Sequence, residues 1–187
     1  MVRRPSDPGE PSARAPSAIE AAWRELAALS GTQDPEELAT HLLRLGIQME
    51  GLDDYTSACE FYSKGLSLHP QSGFTRYFLN NNIGYSLNQL GRFADAEPYC
   101  RAAIEVEERC HNAYKNLGVS LTGQKRYAEA SVCFVQAIRA GPRDRRALLC
   151  LERLVTEVPE ILSLVPGLEK DLDDCRVLDQ GSSPSKN

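Results

Sequence analysis

Three stretches of this chain superpose on a single phase, and no other feature of the sequence narrows the fold as much. HNAYKNLGVSLTGQKRYAEASVCFVQAIRAGPRD fills 111–144, and YFLNNNIGYSLNQLGRFADAEPYCRAAIEVEERC fills 77–110 with no gap between them. ATHLLRLGIQMEGLDDYTSACEFYSKGLSLHPQS, at 39–72, joins the series after four extra residues. The period is 34 residues, a length at which one supersecondary unit is repeated and stacked. In this phase Leu45, Ile83 and Leu117 each precede a glycine, at Gly46, Gly84 and Gly118. Tyr55, Phe93 and Tyr127 follow, then Ala58, Ala96 and Ala130, then Tyr62, Cys100 and Phe134, and finally Gly65, Ala103 and Ala137.

Each unit therefore reads as two short antiparallel helices, which approach closely where small residues face small residues while aromatics fill the gaps above and below. One such pair cannot bury its own faces, so stacked neighbours make the core and about three units are needed for stability. Polar turns fall near Asp53, Gly91 and Lys125, and Pro70 and Pro142 stop the second helix of their units. The middle unit has Glu108 where the terminating proline of its neighbours would stand, and it carries Pro98 inside its second helix. Pro98 is expected near the first turn, where a missing amide is tolerated with at most a mild kink.

These residues resemble the tetratricopeptide repeat family over about 39–144, with Tyr114, Leu117, Gly118, Tyr127, Ala130, Phe134, Ala137 and Pro142 carrying the strongest match. The resemblance implies an all-α fold, a right-handed superhelical stack of three helix pairs (39–72, 77–110, 111–144) within 34–144. Its concave groove would be lined mainly by the first helix of each pair.

The flanks fit such an array. Residues 1–16 are rich in Pro, Arg and Ser with little to bury and read as a disordered leader. Ser17 and Glu20 offer a capping box for a helix reaching about Leu29, with Trp23 packing on the array, within a 17–33 segment that ends in a linker. Asp34 before Pro35, followed by Glu36 and Glu37, starts the next helix. Residues 145–178 read as capping helices, broken at Pro159 and at Pro166-Gly167, and 179–187 as a disordered polar tail.

A net charge of −5 argues against a nucleic-acid backbone as the main ligand, and no apolar run is long enough to span a bilayer. With no secretory signal in its first residues the chain is expected in the cytoplasm. The six cysteines show no paired, metal-like spacing and read as reduced filler, so neither a metal nor a cofactor is expected. His41, His69 and His111 are far apart in the repeat plan, no Gly-rich phosphate loop is present, and no catalytic residue is assigned.

Function is expected in the groove. On the first helices, Arg44 and Gln48, then Asn81, Asn82, Tyr85 and Asn88, then Asn112, Lys115, Asn116, Val119 and Thr122 are left over from packing, and Arg146 continues the series. Asn82 and Asn116, one period apart, resemble the asparagine ladder with which family members bond the backbone of an extended peptide, since an amide both donates and accepts. A carboxylate clamp of the kind that holds acidic chaperone tails fits loosely through Asn81, Asn116 and Arg146, but Tyr85 and Cys150 stand where an asparagine and a basic residue are wanted. The expected function is that of a non-catalytic adaptor or scaffold holding a peptide or helix of another protein. The alternatives are a client-holding chaperone or co-chaperone and a self-associating assembly unit.

Overall fold

Short polar caps and left-handed turns cut the chain into helices whose limits follow from local chemistry. The structure, a computed structural model, describes residues 17–28 and 34–181, and these form ten helices and no strand. The leader 1–16, Leu29 with the linker to 33, and the tail beyond 181 lie outside the described residues. The described residues divide into two units, 17–28 and 34–181.

The first unit contains α1 (Ala18–Ala28). The capping box forms as expected: the Ser17 amide donates to Glu20 Oε2 at 3.0 Å and the Glu20 amide donates to Ser17 Oγ at 3.3 Å. Ala22 is buried on this helix and Trp23 half-buried.

The second unit is the array. Its pairs are α2 (Pro35–Glu50) with α3 (Tyr55–Ser67), α4 (Gly73–Gln89) with α5 (Phe93–Val106), and α6 (His111–Gly123) with α7 (Tyr127–Ala140). Asp34 caps α2 through the Glu36 amide at 2.9 Å, Asp54 caps α3 through Ser57, and Ser72 caps α4 through Thr75. Within each pair the turn places one residue in the left-handed region: Asp53 (φ 57°), Gly91 (φ 71°) and Lys125 (φ 62°). The next amide then reaches back to Met49, Leu87 and Leu121 carbonyls, at 2.9 Å in each case, which closes the end of the first helix.

The shared glycines have a definite task. A Cβ on Gly46 would run into the Tyr62 ring, one on Gly84 would lie 2.5 Å from Cys100 Sγ, and one on Gly118 would lie 2.5 Å from the Phe134 ring. In the first and third pairs the glycine therefore faces an aromatic ring of its own pair, which corrects the expectation that small would face small, whereas in the middle pair Gly84 faces the small Cys100. The Tyr62 ring, the Cys100 thiol and the Phe134 ring pack straight onto the backbone of their first helices, which sets the close approach of the two helices.

Three boundaries differ from the sequence reading. α2 begins at Pro35 as expected, whereas α4 begins at Gly73, four residues before the phase set by 77, because the extra residues 73–76 fold as an additional turn of α4. Pro98 is the sixth residue of α5, one turn deeper than expected, and the helix continues through it. The last helix, α10 (Leu168–Gly181), runs past residue 178.

Glu36 supplies a joint that periodicity does not reveal. Its carboxylate accepts from the Gln71 amide (2.8 Å), the Ser72 amide (3.1 Å) and Thr75 Oγ1 (2.6 Å), tying the start of α2 to the start of α4. These bonds hold the Glu36 carboxyl below its ordinary range. At the other end α8 (Arg145–Glu157), the four-residue α9 (Ile161–Leu164) and α10 close the core with Leu148, Leu151, Leu154, Ile161, Leu168 and Leu172. Arg139 to Asp171 (2.6 Å) and Arg176 to Glu152 (3.0 Å) fasten α10 to α7 and α8. Cys100 and Cys175 are buried in this core, and all six cysteines are free thiols.

Candidate binding groove

The first helices α2, α4 and α6, followed in phase by α8, carry the residues singled out from the sequence. Their asparagines turn out to be bonded to one another. Asn116 Nδ2 donates to Asn81 Oδ1 (3.0 Å), Asn81 Nδ2 to Asn82 Oδ1 (3.0 Å), and Asn82 Nδ2 to Tyr62 Oη (3.4 Å). Asn88 Nδ2 donates to the Asn116 carbonyl at 2.8 Å. Tyr62 in turn meets the Glu50 carboxylate, which also accepts from Ser86 Oγ at 2.8 Å. A directional chain of donors thus runs from α6 through α4 to α3 and ends on an acid at the end of α2. Burial pushes the Glu50 carboxyl above its ordinary value, against the lowering effect of its two hydroxyl donors.

Asn81, Asn88 and Asn116 are buried, at 7%, 7% and 3% exposure, and Asn82 is half-buried. The amides of Asn81 and Asn116 are engaged in binding helix to helix, so their side chains form the floor of the groove. Tyr85 is half-buried and meets the Tyr55 ring edge-on at 6.1 Å between centroids. Arg44 is exposed and bonds His41 at 2.7 Å, and Gln48 is exposed.

Arg146 and Asn112 also find each other. Arg146 Nη2 donates to Asn112 Oδ1 at 3.0 Å and forms an ion pair with Asp144 at 2.6 Å. Asp144 is the N-cap of α8, receiving the Arg146 amide at 3.0 Å, and His111 Nδ1 lies 3.3 Å from its carboxylate. Hydrogen bonding by Arg146 holds the Asp144 carboxyl down at about 2.

Lys115 stands apart. It is only 9% exposed, and among the described residues no acid forms an ion pair with it. Burial, reinforced by the neighbouring Arg146, pushes its ammonium below the ordinary lysine range, with Asp144 only partly offsetting this.

Val119 and Thr122 lie on the same stripe of α6 and line a hollow of about 250 Å³ with Phe93, Gly123, Phe134, Cys150 and Leu154. Sequence reasoning missed Phe93, Phe134 and Leu154 because they belong to second helices or to the cap. The signal was present in the glycines Gly118 and Gly123, which leave the α6 backbone bare opposite two phenylalanine rings. No cluster of three or more His, Cys, Asp or Glu side chains placed to hold a metal occurs among the described residues.

The geometry agrees with what the chain is similar to. The sequence profile of the tetratricopeptide repeat matches residues 81–109. A stretch of 91 residues is 30% identical to the small glutamine-rich tetratricopeptide repeat-containing protein 2 of Mycosarcoma maydis, covering 49% of this chain and 25% of that protein. A stretch of 67 residues is 37% identical to the protein O-mannosyl-transferase Tmtc3 of Drosophila melanogaster, covering 36% of this chain and 7% of that protein. The chain thus spans a quarter or less of these curated relatives. Among solved structures, the first tetratricopeptide domain of Spaghetti (RPAP3) bound to the HSP90 peptide SRMEEVD superposes with a TM-score of 0.60 at 21% identity, covering 69% of this chain and 99% of that one.

Proposed function

From the chain's membership of the tetratricopeptide repeat family, we propose that it is a non-catalytic adaptor that holds an acidic peptide segment of another protein in the groove formed by α2, α4, α6 and α8. Lys115 is the observation that carries this reading. Its stem is packed into the groove while its ammonium reaches solvent with no carboxylate at ion-pair distance, so an acid of a ligand would add a charge-assisted bond there. The interlocked asparagines hold the helix that presents Lys115 in a fixed place, so little ordering is left to occur on binding. The structurally similar Spaghetti domain is bound to the acidic peptide SRMEEVD, which supports an acidic ligand here. Tyr85 and Cys150 depart from a full carboxylate clamp, so the segment is read through side-chain carboxylates and not through a free chain end. The protein would act in the cytoplasm.

Capture from a native lysate with the wild-type chain beside Lys115→Gln tests this. Substituting Asn116 would be a poor probe, because that residue is part of the floor. The expected result is selective loss of a partner with an acidic segment, while the variant melts at least as high as wild type. Identical captures by both proteins would remove the groove reading.

A further inference from the structure

The contact between Asn81 and Asn116, 35 positions apart, has a counterpart one repeat further on with different chemistry. The same step from α6 to α8 leads from Lys115 to Cys150, so an ammonium and a thiol stand where α4 and α6 place two amides. The two groups lie close enough to act on each other's protonation, and Arg146 and Arg153 act on the same thiol. Those arginines have acids of their own, Asp144 at 2.6 Å and Glu157 at 2.8 Å. Lys115, only 9% exposed, has none at ion-pair distance among the described residues. Cys150 is half-buried and lines the hollow of about 250 Å³ together with Val119, Phe134 and Leu154. The other thiols are placed differently. Cys100 and Cys175 are buried in the core, Cys133 is acted on by two acids as well as two arginines, Cys110 bonds Tyr77, and Cys59 has the Glu50 carboxylate beside it.

We propose that Cys150 is a modification site, which takes a small acidic thiol of the glutathione class as a mixed disulfide whose carboxylate pairs with Lys115. The reaction is exchange with the disulfide form of that thiol. The Cys150 thiol loses its proton to solvent, and Sγ attacks one sulfur of the incoming disulfide. A new S–S bond forms as the old one breaks, and the departing sulfur takes up a proton as a free thiol. Cys150 is oxidised and the departing sulfur reduced, so no other oxidant is needed. The hollow beside Sγ gives the attached group room, and the cations around it, one of them without an acid of its own, favour an adduct that carries negative charge. Burial holds the thiol above its ordinary range, so exchange is slow at neutral pH and quickens as pH rises. A reducing thiol reverses it. The functional consequence rests on the groove reading above: the adduct covers Lys115 and closes the groove to an acidic segment, which makes partner release dependent on redox state.

The test treats the full, reduced chain at mildly alkaline pH with millimolar glutathione disulfide, which is acidic, hydroxyethyl disulfide, which is neutral, or cystamine, which is cationic. Occupancy of each cysteine is read by peptide mass spectrometry, and each rate is divided by that of the same cysteine in the urea-unfolded chain. At Cys150 glutathione disulfide should be preferred over cystamine about fivefold, the rate equivalent of one surface ion pair, with hydroxyethyl disulfide between them. Molar salt should remove the preference. Cys59 should show none, and Lys115→Gln should abolish it at Cys150; should that variant fold poorly, the salt dependence in wild type decides. Reaction of Cys150 with cystamine as fast as with glutathione disulfide, or no adduct at Cys150, would overturn the site. The consequence is read by lysate capture, in which glutathione-treated protein should lose the partner that Lys115→Gln loses and regain it after dithiothreitol, while treated Cys150→Ser keeps it. Retention by the treated wild type of a partner that Lys115→Gln loses would overturn the closure and leave the groove reading intact. Identical captures by wild type and Lys115→Gln would overturn the groove reading and the closure together, while the modification site still stands or falls on the charge preference.

Discussion

Asn116→Ala separates a groove asparagine that waits for a ligand from one that holds the groove together. Asn116 is 3% exposed, donates to Asn81 Oδ1 at 3.0 Å, and reaches the Asn81 carbonyl at 3.5 Å. Removing the donor leaves Asn81 Oδ1, on a residue itself 7% exposed, with a broken bond in a site that water reaches poorly. Orphaning a buried acceptor costs about 1–3 kcal/mol, and the better helix propensity of alanine returns roughly 0.5 kcal/mol. The net loss is about 0.5–2.5 kcal/mol, which for a chain of this size lowers the Tm by about 1–10 °C. The assay is thermal unfolding followed by circular dichroism, with Gln48→Ala, an exposed groove position, as the control expected within about 0.5 kcal/mol of wild type. An Asn116→Ala melt that overlays wild type would refute the claim that this side chain ties α6 to α4.

Other consequences follow from the packing and the charges. Gly84→Ala sets a methyl 2.5 Å from Cys100 Sγ and should cost about 1–3 kcal/mol in urea unfolding. Adding Cys100→Ala removes the sulfur and should recover part of that loss, whereas additive losses would show that the two do not meet. Lys125 (φ 62°) occupies the place that glycine holds at Gly91, so Lys125→Gly should raise stability by about 0.5–1 kcal/mol, measured by chemical denaturation. Burial raises the Glu50 carboxyl in the folded state. Its contribution is therefore full below the unfolded carboxylate pKa and is lost as pH rises through the raised folded value. Glu50→Gln should accordingly be more stable than wild type at neutral pH, with the gap closing in melts below the unfolded pKa; a gap that widens on acidification would contradict the assignment.

The repeat was legible because its physics is local and periodic: a glycine on the first helix and a ring or thiol on the second recur at one spacing, and the structure joins them. Its punctuation was only partly legible. Gly91 announces a left-handed turn, but Asp53 and Lys125 make the same turn with residues that do not advertise it. The residues 73–76 read as an interruption of the period, whereas the helix absorbs them as one more turn beginning at Gly73. The groove was legible as a surface and not as a set of bonds. Asn81 and Asn116 share a face in any helical reading, yet whether two amides 35 positions apart meet each other or a ligand depends on the interhelix distance, which no single residue encodes. Lys115 was found as one more polar residue on the stripe, while its burial and lack of a counter-ion emerge only when α8 brings Arg146 and Asp144 alongside.

The central claim is that Lys115 supplies the charge that holds an acidic segment. Its most direct test is a calorimetric titration of the segment recovered by lysate capture, with its acidic residues intact or replaced by amides, into wild-type protein and Lys115→Gln. The account predicts that loss of this buried, charge-assisted bond weakens the intact segment about tenfold or more, and that the amide version binds both proteins equally weakly. Equal affinity of the intact segment for wild type and Lys115→Gln would contradict it.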